Sequence, residues 1–89
     1  VIHDEVISIG TLTANLVHPR EVFQPAIEYL ACGVIVAHNH PSGDPDPSED
    51  DLEITRKLTA VGQTMDIELL DHIIIGKNRY VSFKEKGML

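Results

Sequence analysis

Apolar and polar positions change their spacing several times along this chain. The first twelve positions are crowded with β-branched residues (Val1, Ile2, Val6, Ile7, Ile9, Thr11) and contain Gly10. They predict a strand over Val6 to Leu12, with a turn at His3-Asp4. His18-Pro19-Arg20-Glu21 then opens a helix, because Pro suits a first helical turn and Glu21 suits the positive end of the helix dipole. Val22, Phe23, Ala26, Ile27 and Leu30 follow at helical spacing, and Gly33 is a stop signal. Pro25 lies inside that stretch, so the helix is expected to start only two or three residues earlier or to kink.

Val34-Ile35-Val36-Ala37 is a short, wholly apolar run of the kind found in buried central strands. It leads into a loop, from His38 to Ser48, stiffened by Pro41, Pro45 and Pro47. Ser48 is a good helix N-cap, and Glu49, Asp50 and Asp51 load the first turn. Leu52, Thr55, Leu58, Thr59 and Gly62 complete a helix of about 13 residues. Ile67 to Ile75 reads as a strand, Gly76-Lys77-Asn78 as a turn, and Arg79 to Phe83 as a hairpin partner. The order β-α-β-α-β-β predicts an α/β domain, a sheet flanked by helices.

The chemistry concentrates at His38-x-His40, with Asp51 eleven residues further on. Residues i and i+2 of a strand project to one face, so both imidazoles can converge on a point at the strand end. The Pro-rich loop returns the chain so that the first turn of the next helix faces that point, and a carboxylate at Asp51 closes a third side. Two neutral histidines and a carboxylate suit a zinc ion with an open fourth position, which lowers the pKa of a bound water to about 7. Asp44 or Asp46 in place of Asp51 is an alternative third ligand. Ser48 has two readings. One is a capping box with Asp51, stabilising by about 1 kcal/mol. The other is a hydroxyl that steadies an oxyanion.

Size and charge narrow the field. The chain has 89 residues, 43% hydrophobic and 24% charged, which is a globular mix for one small domain. Its net charge of −7 opposes direct nucleic-acid binding, which needs clustered Lys and Arg. No apolar run reaches the roughly 20 residues of a membrane span. The single cysteine, Cys32, excludes an intrachain disulfide and reads as a buried small hydrophobe. No signal peptide is visible, so a cytoplasmic location is expected. The chain starts at Val1 in an apolar segment, and is read as the C-terminal piece of a longer protein, residues 1–89 forming one domain that lacks a first strand. An open sheet edge would then allow pairing into a homo-oligomer.

His38-x-His40, seven residues, Ser48, two residues, Asp51 matches without a gap the signature of the JAMM (JAB1/MPN/Mov34) metalloenzymes. More closely, the whole chain resembles the C-terminal domain of RadC proteins. The matching stretches include Val17-His18-Pro19-Arg20-Glu21-Val22-Phe23, Ala37-His38-Asn39-His40-Pro41-Ser42-Gly43-Asp44-Pro45, Leu70-Asp71-His72-Ile73-Ile74-Ile75-Gly76 and Val81-Ser82-Phe83-Lys84-Glu85-Lys86-Gly87.

The resemblance implies an MPN/JAB-like mixed β-sheet and one zinc per chain on His38, His40 and Asp51, with Ser48 on the oxyanion side. It also implies hydrolysis of a peptide or isopeptide bond in a peptide or protein substrate. Asn39 departs from the Ser or Thr common between the histidines elsewhere in the wider family. The resemblance further implies a Glu that accepts the water proton. Glu5 is the candidate within the chain, whereas alignment to the family places that Glu one strand earlier, upstream of Val1.

Other positions carry plainer readings. His72 reads as a strand histidine satisfied by a backbone or carboxylate partner, with a role behind the metal ligands or against substrate as the alternative. His18 reads as a helix-entry residue, His3 as a surface residue, and Arg20 as the partner of a carboxylate. Three functions compete: a zinc metallohydrolase; a non-catalytic MPN-fold interaction module, with the DNA-repair label that RadC proteins carry; and, more weakly, a nuclease. A scaffold has no physical need for His38, His40, Ser48 and Asp51 together, which favours the first.

Overall fold

The computed structural model describes residues 18–40 and 42–89 in full, and the backbone alone of residues 3–8. Six elements follow in the expected order: β1 (His3–Ser8), α1 (Pro19–Glu28), β2 (Ala31–Asn39), α2 (Glu49–Met65), β3 (Glu68–Ile75) and β4 (Tyr80–Ser82). They form one mixed sheet in the spatial order β1-β2-β3-β4. β1 and β3 run parallel to β2, and β4 runs antiparallel to β3. Each parallel pair is joined by a helix, and the antiparallel pair by a tight turn.

Both helices share one core with one face of the sheet. Val22, Phe23 and Ala26 of α1 and Ile54 and Leu58 of α2 pack with Val34 and Val36 of β2, all at 1% exposure or less. Alternation along β2 therefore fixes which way His38 points: two positions beyond Val36, it faces the helices and is buried. The parallel register sets Val36 beside His72 and His38 beside Ile74, so His72 is brought to the same face.

Several boundaries differ from the sequence expectation. β1 runs through His3 and Asp4 instead of turning there, and a register irregularity lies between them. Positions 9–12 of the expected strand lie outside the described residues. α1 contains Pro25, which removes the amide that would donate to the Glu21 carbonyl, and the helix ends three residues after it. The helix ends at Glu28 with Tyr29 as its C-cap, and Leu30, 77% exposed, follows with a left-handed φ of 54°, so the helix does not run on to Gly33. Gly33 belongs to β2, where the Leu70 side chain covers it at 2.6 Å from where a Cβ would stand. Cys32 is exposed on β2 rather than buried, because alternation turns it away from the core. Arg20 is exposed and forms no ion pair among the described residues. α2 continues past Gly62 to Met65 and closes on Asp66 in a left-handed conformation. No helix among the described residues is long and apolar enough to cross a membrane.

The loop after β2 is gripped by the β3–β4 turn. His40 N–H donates to the Ile75 carbonyl (3.2 Å), and Lys77 N–H donates to the Gly43 carbonyl (2.9 Å). Arg79 reaches the carboxylates of Asp44 (3.4 Å) and Asp46 (3.6 Å). Gly76 permits this approach: a Cβ there would stand 2.5 Å from the Gly43 carbonyl oxygen and 2.7 Å from Pro45 Cδ. Gly76→Ala is accordingly expected to destabilise the fold by about 1–3 kcal/mol, with backbone that must move aside. A melting temperature equal to or above wild type by circular dichroism would contradict this contact.

Candidate metal centre

Asp51 is the hub of the site. It occupies the third position of α2, and its side chain and that of Ser48 form a reciprocal capping box. Ser48 N–H (2.7 Å) and Ser48 O–H (2.9 Å) both donate to Asp51 Oδ2, while Asp51 N–H donates to Ser48 Oγ (3.2 Å). The cap that starts the helix therefore also fixes the carboxylate, which is 1% exposed. Burial works to raise its pKa. The two Ser48 hydrogen bonds, with His38 and His40 nearby, outweigh that and hold it below the usual carboxylate value.

Both histidines of the His-x-His pair reach this carboxylate. His40 Nε2 lies 2.9 Å from Asp51 Oδ2, and His38 Nε2 lies 3.1 Å from Oδ1. His40 Nδ1 stands 2.7 Å from the Asp44 carbonyl oxygen, which only accepts, so Nδ1 carries a proton. His40 Nε2 is at the same time within hydrogen-bond distance of Asp51 Oδ2. His38 Nε2 is buried, 3.1 Å from Asp51 Oδ1, and has no hydrogen-bond partner among the described residues. Burial lowers the pKa of His38 against the pull of Asp51, which favours the neutral ring.

Two imidazole nitrogens thus face one buried carboxylate, and of the two only His40 Nε2 makes a hydrogen bond to it. A cation completes such a set, and the donor types are those that bind divalent transition metals. His38, Asp51 and His72 each offer a ligand atom within 4.8 Å of one another, all three buried. The structure therefore holds a His-His-Asp group that can bind a metal ion.

Asp44 and Asp46 do not join it. Their side chains are exposed and engage Arg79, which leaves Asp51 as the carboxylate of the group. Asp44 acts through its backbone, as the acceptor for His40. Glu5 lies in β1 opposite Val34, four strand positions and about 13 Å before the level of His38. Its side chain lies outside the described residues.

His72 departs from the expected backbone or carboxylate partner. Its Nε2 is 3.2 Å from His38 Nδ1, and its Nδ1 is 2.7 Å from Thr55 Oγ1. The Phe83 ring stacks on it at a centroid distance of 4.4 Å. Burial pushes its pKa down to about 4, with His38 adding to the shift. Thr55 was not singled out from sequence. The signal was its place four residues after Asp51, where its hydroxyl donates to the Asp51 carbonyl (3.1 Å).

An α/β fold with a mixed sheet, and a His-His-Asp group built from the end of a central strand, the strand beside it and the first turn of the following helix, define a JAB-type domain. A family profile described as a RadC-like JAB domain matches residues 1–88. The chain belongs to the RadC family. It is 58% identical over 89 residues to a UPF0758 protein of Symbiobacterium thermophilum, covering 100% of this chain and 38% of the relative. It is 55% identical over 89 residues to a UPF0758 protein of Methanococcoides burtonii, covering 100% and 39%. A UPF0758 protein of Geobacillus thermodenitrificans is 54% identical over 87 residues, 98% and 38%. The chain spans about two fifths of the length of these curated relatives.

The buried histidines make stability depend on pH. An exposed histidine in the unfolded chain takes up its proton near pH 6.5, whereas His72 does so only near 4 in the fold. The unfolded state therefore binds more protons between those values. Stability to urea is expected to fall as pH drops from about 6.5 towards 4, and His72→Gln should flatten that slope. A slope unchanged in the variant would show that His72 contributes nothing to it.

Proposed function

We propose that this chain is the zinc-binding hydrolase domain of a JAMM-type enzyme, acting on a peptide or isopeptide bond in a protein or peptide substrate. The observation that carries the reading is His38 Nε2: a buried nitrogen without a hydrogen-bond partner among the described residues, 3.1 Å from a buried carboxylate that also meets His40. His38, His40 and Asp51 are assigned as the ligands, with His40, which also reaches Asp51, taken in place of the His72 of the buried group. His72 is set behind them, because both its nitrogens already have partners in Thr55 and His38. A zinc ion in that set supplies Lewis acidity and acidifies a water molecule at neutral pH.

The chain's own residues do the rest. Asp44 holds His40 by its carbonyl, and Ser48 holds Asp51 by two hydrogen bonds. Ser48 is exposed at the mouth of the site, where its hydroxyl is placed to turn towards a developing oxyanion on a substrate carbonyl. Glu5, at the level of Val34, is given no part in this. The proton-accepting carboxylate is assigned to sequence of the longer relatives that this chain does not span.

Metal analysis of the purified protein tests the reading. Wild type is expected to carry about one zinc per chain, and His40→Ala and Asp51→Asn to lose it. Absence of zinc from wild type after zinc is added back would contradict it and favour a non-catalytic interaction module. A second test uses a full-length relative on peptide and isopeptide substrates. Cleavage should stop in the variant equivalent to His40→Ala, and Ser48→Ala should lower turnover by about 10²–10³-fold while retaining zinc. Unchanged turnover in the Ser48 variant would remove the hydroxyl from the mechanism.

A further inference from the structure

We propose that His72 and Thr55 are positioning residues that hold His38 in the one tautomer able to bind a metal through Nε2. The inference rests on the metal-centre reading above and deepens it. It begins at a backbone atom. Thr55 Oγ1 has a single proton and lies 3.1 Å from the Asp51 carbonyl oxygen, which only accepts, and 2.7 Å from His72 Nδ1, which can donate or accept. The unpartnered His38 Nε2 at the other end of the chain selects the direction in which that proton goes to Asp51 and Thr55 Oγ1 accepts from His72 Nδ1.

A neutral imidazole carries one N–H. With the proton on Nδ1, His72 Nε2 is bare and accepts from His38 Nδ1 at 3.2 Å. His38 in turn keeps its lone pair on Nε2, the nitrogen that has no hydrogen-bond partner and faces Asp51. Three hydrogen bonds therefore run in one direction, from His38 through His72 and Thr55 to the backbone of Asp51. Phe83 stacks on His72 with an interplanar angle of 23°, which fixes the ring that passes the direction along.

A histidine buried only for packing needs partners but no direction. This chain has one, and it ends at a bare nitrogen beside a carboxylate. The reverse polarity would place a proton on His38 Nε2, in the space a cation would take. His72 and Thr55 thus belong with the outer partners that orient metal-ligating histidines.

The test uses the protein with Thr55→Val, His72→Gln and His72→Phe. Imidazole ¹⁵N shifts report the tautomer of His38 in metal-free protein, and chelator competition reports zinc affinity. Wild-type His38 is expected to carry its proton on Nδ1. Thr55→Val keeps the volume but frees His72 to reverse, so a population of His38 protonated on Nε2 should appear. Zinc affinity should drop by about 10–100-fold in Thr55→Val and in His72→Phe. His72→Gln, whose amide oxygen can still accept from His38, should bind zinc close to wild type.

Wild-type His38 protonated on Nε2, or folded Thr55→Val with wild-type tautomer and zinc affinity, would overturn the inference and leave the metal centre standing. Wild type that binds no zinc at all would overturn both.

Discussion

The carboxylate of Asp51 is the constraint on which the rest of the site depends. A buried carboxylate is tolerated only when its charge is met, and here Ser48 meets one oxygen with two hydrogen bonds from the helix cap. One of those bonds uses an orphan backbone donor of the helix N-terminus, and the dipole of the first turn favours the same charge. Local helix physics alone would place an acid here. The two histidines facing it are what local helix physics does not explain.

Their placement comes from the sheet. β2 is the central parallel strand between β1 and β3, and its alternation turns Val34, Val36 and His38 towards the helices. His40 leaves the strand but is tied back by Ile75 on the backbone and by Asp44 on the ring. The β3–β4 turn steadies the loop between the histidines and α2, through Lys77, Arg79 and the close approach at Gly76. The group is therefore held from three directions: a strand end, a helix cap and a hairpin turn. Such preorganisation holds the donor groups of the site in place.

Much of this was legible in the sequence because local rules and tertiary demands agree. The order of elements followed from apolar spacing and from turn residues such as Gly76 and Asn78. Ser48 and Asp51 were legible as a cap, and His38-x-His40 as a convergent pair at a strand end. What was not legible depends on long-range register. His72 joins the group because β3 pairs with β2 so that His72 lies beside Val36, a fact no local window contains. Thr55 gains its role only once His72 is beside it. Gly33 looked like a helix stop, yet it is a strand residue covered by Leu70 from the neighbouring strand. The helix had already ended at Glu28, and Leu30 after it takes a left-handed conformation that its side chain does not announce.

The most direct measurement is anomalous diffraction at the zinc edge from crystals of the wild-type protein grown with zinc. One peak bonded to His38 Nε2, His40 Nε2 and the Asp51 carboxylate, with His72 outside it, is the predicted result. A peak bonded to His72 in place of His40, or no peak between His38 and Asp51, would contradict it.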